Sequence, residues 1–234
     1  MAFFNGASTV TVIVTAPAEK TALVTLESVK SLLAISNDEQ DPALTILISQ
    51  ASSLLVRRLG RPLALQGYAE RLRIHRHGQG INLSNGPIVS IQSIIVEGQP
   101  WTGPLDEMDV SRNLARICAP GLACWRGWPA QHYPHEVTVS YTAGYLVPGM
   151  DDPGTSSGML SGKPLPLPDD IAGACLSTVC SLYHSAGRDQ AIKSESEQGV
   201  GNTVYQALDP LAGSVPPDAL AVIDNLPLAS DGPI

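Results

Sequence analysis

Apolar residues recur along this chain at two different periods, and the changes of period mark its segments. Leu26, Val29, Leu32 and Leu33 follow helical spacing. Thr25 stands before them as an N-cap, and Glu27 lies in the first turn, where a negative charge suits the helix dipole. A helix is therefore predicted over 25–35. Asp41-Pro42 is a second start signal, and Leu44, Leu47, Ile48, Ala51, Leu54 and Leu55 form the stripe that follows it. Arg57 and Arg58 fall in its last turn, Gly60 is placed to end it, and Pro62 prevents continuation, giving a helix over 42–59. A third stripe, Ile171, Ala172, Cys175, Val179, Leu182 and Tyr183, begins after Pro168-Asp169-Asp170 and predicts a helix over 169–186, closed by Gly187. Pro216-Pro217-Asp218 caps a short last helix through Leu226.

Between these helices the period drops to two. Val137, Val139 and Tyr141 alternate with Thr138, Ser140 and Thr142, and Leu72 and Ile74 alternate with Arg71, Arg73 and His75. Ile81 with Leu83, and Ile88 to Val96 after the Gly86-Pro87 turn, read as further strands. The β-branched run Thr9 to Thr15 reads as a strand or an extended arm that pairs with another element or another subunit. An irregular stretch from Gly98 to Pro134 holds all three tryptophans, and 146–167 is rich in Gly, Pro, Ser and Asp. The expected fold is mainly α: a helical core with a small inserted β-sheet or hairpin region and extended N- and C-terminal arms. The segments are then an arm over 1–22, a core over 23–187 with a β insert at 68–145 and an exposed, mobile loop at 146–167, and a C-terminal docking arm over 188–234.

Composition narrows the function classes. The chain has 234 residues and a net charge of −8, which argues against tight binding to nucleic-acid phosphates. Solubility alone accounts for that charge, and an acidic wall past which DNA slides accounts for it as well. Residues 1–17 lack the basic start of a secretory signal, and no apolar stretch is long enough for a transmembrane helix. The expectation is synthesis in the cytoplasm, with reduced thiols at Cys118, Cys124, Cys175 and Cys180.

Candidate chemistry is sparse. Gly154-Thr155-Ser156-Ser157-Gly158 matches the nucleophile pattern G-x-S-x-G, but no strand leads into it to form the elbow such a serine requires. Cys118, Cys124, His132 and His135 lack the short spacings of a tetrahedral zinc site, so buried thiols and surface histidines explain them better. Cys175 and Cys180, five apart on a helix, read as small packing residues. Trp101, Trp125 and Trp128 could stack on sugars or bases, with Arg126 adding a cation–π contact; packing a thin β insert or filling a subunit interface accounts for them better. Arg57, Arg58, Arg61, Arg71, Arg73 and Arg76 make a local basic cluster, read as a solvated helix end. Gly199-Val200-Gly201 lacks the strand and helix of a phosphate loop. No catalytic residue, metal site or cofactor is expected.

Taken in order, several segments resemble the head–tail connector (adaptor) family of tailed bacteriophages. Leu23-Val-Thr-Leu-Glu-Ser-Val-Lys-Ser-Leu-Leu, then Asp41-Pro-Ala-Leu and Leu59-Gly-Arg-Pro-Leu, look like its opening helical pair. Gly86-Pro87-Ile88 with Ser90-Ile-Gln-Ser-Ile resembles its "proline, apolar, serine, isoleucine" strand. Tyr141-Thr-Ala-Gly-Tyr, following Trp125 or Trp128, resembles its strand end, and Leu167-Pro-Asp-Asp-Ile-Ala-Gly-Ala-Cys-Leu its closing helix. The N-terminal arm, the long 146–167 loop and the tail beyond Gly187 depart from the pattern.

The resemblance implies a structural subunit of the virion neck, assembled in the host cytoplasm and without catalysis. It implies a ring of copies, typically twelvefold, beneath the portal protein. DNA passes through the ring without specific binding, a stopper or tail-completion protein docks below, and no membrane is involved. In that setting the tail is expected to dock on the portal through Val204, Tyr205, Leu208, Leu211, Val222, Ile223 and Leu226. Two other readings remain: a carbohydrate- or surface-binding virion module built on the tryptophan region, and a serine hydrolase acting through Ser156.

Overall fold

The computed structural model describes residues 8–74, 81–101, 109–118, 135–155, 158–186, 194–197, 201–204 and 215–226. The chain divides into two units, each made from separate stretches of sequence. One comprises residues 1–20, 61–166 and 227–234; the other comprises 21–60 and 167–226.

The first unit is built on strands. In chain order they are β1 (Ser8–Ala16), β2 (Gln66–Ile74), β3 (Ile81–Asn82), β4 (Ile88–Val96), β5 (Gln99–Pro100), β6 (Asp109–Ser111), β7 (Arg116–Cys118), β8 (His135–Ala143), β9 (Tyr145–Leu146) and β10 (Leu165–Pro166). Five of them form an antiparallel sheet in the order β1-β2-β8-β4-β5, and three more form the sheet β3-β7-β6. Alternation sets the faces. Tyr68, Glu70, Leu72 and Ile74 of β2 are buried while Arg71 and Arg73 face solvent, and Val137, Val139, Tyr141 and Ala143 of β8 are buried beside them. In β4 the buried isoleucines Ile88, Ile91 and Ile94 lie three apart, a spacing that would flip them between faces in a regular strand. Register shifts against β8 between Ile88 and Ser90, and between Ile91 and Ser93, restore them to one side. Ile81, Leu83, Ala115 and Ile117, from the small sheet and its connections, complete this core.

The second unit holds the helices α1 (Leu26–Leu33), α2 (Asp41–Leu59), α3 (Asp169–Ser185) and α4 (Pro217–Asp224), with a hairpin of β11 (Ser194–Glu197) and β12 (Gly201–Val204). Thr25 caps α1, its hydroxyl accepting the Ser28 N–H at 3.1 Å, and Gly60 closes α2 in a left-handed conformation. Lys30 joins α1 to the start of α2 by bridging Asp38 and Asp41. The apolar stripes meet in a core of Leu23, Val29, Leu44, Ile48, Leu55, Ile171, Cys175, Val179 and Leu182. Ala219 and Ile223 of α4 belong to it too, and Arg58 pairs with Asp224 at 3.1 Å.

The mainly α expectation is corrected. Among the described residues, strands occupy more of the chain than helices, in several antiparallel sheets. The helical stripes are long and conspicuous in sequence, whereas the large sheet is assembled from stretches far apart in the chain. The supposed N-terminal arm supplies one of its strands, since β1 pairs with β2 along its length. The region read as a small insert carries two nine-residue strands, β4 and β8, at the sheet's interior.

Candidate functional site

Three of the quoted sequence motifs converge in the first unit. Arg61, two residues beyond α2, is buried and donates to the Gly86 carbonyl at 3.3 Å. The Gly86–Pro87 bond is cis, and the Pro87 carbonyl accepts the Gly144 N–H at 3.0 Å. Tyr145 in turn exchanges backbone hydrogen bonds with Leu63 and Leu65, at 2.8 and 2.9 Å. Gly144 has φ +116°, and a Cβ there would lie 2.6 Å from the Ala64 carbonyl oxygen, so both the turn and the close approach require glycine. Burial disfavours the charged form of the Arg61 guanidinium and lowers its pKa.

Beside this junction lies a buried polar network. Glu70, fully buried on β2, accepts the Tyr141 hydroxyl at 2.8 Å, the Ser84 hydroxyl at 2.7 Å and the Ser84 N–H at 2.9 Å. Asn85 donates to the Tyr141 oxygen at 3.4 Å, and the Tyr68 and Tyr141 rings stack with centroids 5.4 Å apart. Burial, and then the charge of Glu70, push the Tyr141 phenol above its ordinary value, so it remains a hydrogen-bond donor. Such a network fixes β2, β8 and the turn between β3 and β4 against one another. Sequence reasoning passed over Glu70, although continuing the period of Leu72 and Ile74 backward would have turned it inward.

The 146–167 segment, expected as an exposed, mobile loop, makes contacts at several points. Leu160 and Ile91 exchange backbone hydrogen bonds at 3.0 and 3.1 Å, and Arg112 donates to the carbonyls of Val89 and Ser161 at 3.0 and 2.8 Å. β10 pairs in parallel with β9. Within the segment, Gly154 and Gly158 are described and Ser156 and Ser157 lie outside the described residues. No described strand leads into Gly154 and no described helix follows Gly158, so the nucleophile elbow has no scaffold there. Near it, Ala16 to Glu19, Leu65 to Gly67, Thr142, Met150, Asp151 and Pro153 line a cleft. Its ionisable side chains are the carboxylates Glu19 and Asp151.

The other residues marked in sequence scatter. Trp101 is half-buried against the β core, while Trp125, Trp128 and Arg126 lie outside the described residues. So do Cys124, His132 and the side chains of Cys118 and His135; among the described residues no cluster of potential metal ligands occurs. Cys175 is buried 3.7 Å from the Ser52 hydroxyl, and Cys180 is half-buried. The basic cluster divides: Arg57 and Arg58 belong to the helical unit, Arg61, Arg71 and Arg73 to the β unit. Arg58 pairs with Asp224 and Arg71 with Glu136, Arg61 is buried, and Arg76 lies outside the described residues. Tyr205, Leu208 and Leu211, like the side chain of Val204, lie outside them too. Val222 and Leu226 are half-buried, and Ile223 is only 3% exposed within its own unit.

These features define a scaffold of structural contacts, and known proteins resemble parts of it. Residues 23–99 match the model of the Phage gp6-like head-tail connector protein family, bearing out the resemblance on the segment that holds α1, α2, β2 and β4. Over that segment the chain is similar to the head–tail connector proteins. In fold it is similar to a chain of a structure described as "Neck of empty GTA particle computed with C6 symmetry", at 16% identity and a TM-score of 0.51, covering 92% of this chain and 94% of that one. A chain of "Neck of native GTA particle computed with C12 symmetry" aligns at 16% identity and a TM-score of 0.49, over 92% and 93%. No curated protein matches.

Proposed function

We propose that this chain is a structural subunit of the neck of a tailed virus-like particle, many copies forming a ring between the portal and the tail or stopper. DNA passes through the ring without specific binding. The match of residues 23–99 to the connector family carries this reading, and the fold likeness to a neck chain supports it. The reading assigns the chain a structural role and no reaction. Heterologous contacts that close on themselves generate such a ring. The net charge of −8 fits a lumen that does not hold phosphates.

The segment after Gly187 is the proposed portal-docking arm, with Val204, Tyr205, Leu208 and Leu211 filling pockets on the partner. Lys193 to Gln198 is polar, and Pro210, Pro216 and Pro217 punctuate the sequence that follows. In α4, Val222 and Leu226 retain exposed area for the same task, while Ile223 serves the core of its unit. Native mass spectrometry of the purified chain mixed with purified portal rings tests the reading. Many copies per portal ring are expected; one or two would contradict it.

A further inference from the structure

β1 ends the five-stranded sheet, and no described strand pairs with its second edge. Its nine residues carry no charge and no proline, so neither of those guards is present on that edge, and its pairing with β2 shifts register between Thr9 and Thr11 and between Val14 and Ala16. Every residue from Thr11 to Ala16 is exposed. Val12 and Val14 stand opposite Glu70 and Tyr68, on the face that β2 buries, yet they are 39% and 46% exposed. The apolar face of the sheet therefore continues onto β1 beyond its cover. On the other face Ile13, opposite Ala69, is 58% exposed.

We propose that β1 is a self-assembly strand, whose free edge and two open faces are covered by a segment of a second copy of this chain. The inference rests on the ring reading, which supplies that second copy. An added strand brings side chains to both faces at once and satisfies the edge's backbone groups, whereas a flat surface covers one face only. The other side of the sheet is already occupied. Along β4, the Ile88 N–H donates to Arg112, Ile91 exchanges hydrogen bonds with Leu160, the Ile94 carbonyl accepts from Trp101, and β5 pairs with the end.

Charge selects the partner. Residues 1–18 contain no Asp, Glu, Lys, Arg or His, in a chain of net charge −8. Identical acidic copies repel elsewhere and meet without repulsion along this segment. DNA finds no cation on β1 to neutralise a phosphate. Pairing of β1 with the β1 of another copy would close a two-fold dimer and stop, so in a ring the strand meets a different segment of its neighbour.

A photo-activated cross-linking residue at Ile13, in the full chain assembled with portal rings, tests this. The expected product has twice the chain's mass and joins Ile13 to a segment other than the neighbour's β1. A product with portal protein, a β1-to-β1 product, or none would overturn the inference. As a second arm, Ile13→Glu is expected to leave the melting curve of the free chain unchanged and to abolish closed rings. Undisturbed rings from that variant, whose parent also forms rings, overturn this inference and leave the ring reading standing. A parent chain that forms no rings removes both.

Discussion

Single residues decide whether the β unit holds together. Tyr141 is buried, stacked on Tyr68, and donates to the buried carboxylate of Glu70. Tyr141→Phe keeps the ring and removes one hydrogen bond to a charged group, which is expected to lower stability by about 1.5–3 kcal/mol in urea unfolding. A loss below roughly 0.5 kcal/mol, the scale of a neutral surface change, would show the network to be slack. Cys175 gives a pH signature in the helical unit. Burial pushes its thiol up to about 11 from an ordinary 9.0, so the folded chain holds a proton that the unfolded chain releases between those values. Stability that is fully present below pH 9 therefore falls as pH rises towards 11. Cys175→Ala should flatten that part of the melting-temperature profile, and an identical slope in the variant would place the titration elsewhere.

At the scale of elements, the sequence marked helices better than sheets for a physical reason. A helix closes its hydrogen bonds locally, so Thr25, Asp41-Pro42 and Gly60 announce its ends within a few residues. A sheet draws its strands from distant stretches: β1 pairs with β2 some sixty residues on, and β8 lies between β2 and β4. Period alone suggested that Thr9 to Thr15 is extended, but nothing local shows which edge it takes. The junction of Arg61, Gly86 and Gly144 was present as three separate motifs, and only the fold brings them together. Glu70 stayed hidden because a charged residue inside a short alternating run reads as a solvent face. For the C-terminal region the structure also changes the choice of experiment. Cutting after Arg188 would remove Ala219 and Ile223 from the helical core, and Ile223→Ala alone is expected to cost about 2–5 kcal/mol in chemical unfolding. Tyr205→Ala with Leu208→Ala probes docking instead: the circular dichroism should stay as it is while co-sedimentation with portal rings is lost. Undiminished co-sedimentation would move the docking surface off this segment.

For the whole molecule, an acidic chain, a segment similar to connector proteins and an uncharged edge strand point to one assembly. The acidity bears on DNA: the isolated chain should show no tight, salt-sensitive retention of duplex DNA, and steep salt-dependent binding would place a basic lining where the reading puts a passive one. Whether the ring closes is visible in two-dimensional class averages of the chain assembled on portal rings, seen by electron microscopy along the channel axis. A closed annulus of identical subunits around an open channel is expected. Isolated single copies on the portal, or an open chain of subunits that never closes, would contradict it.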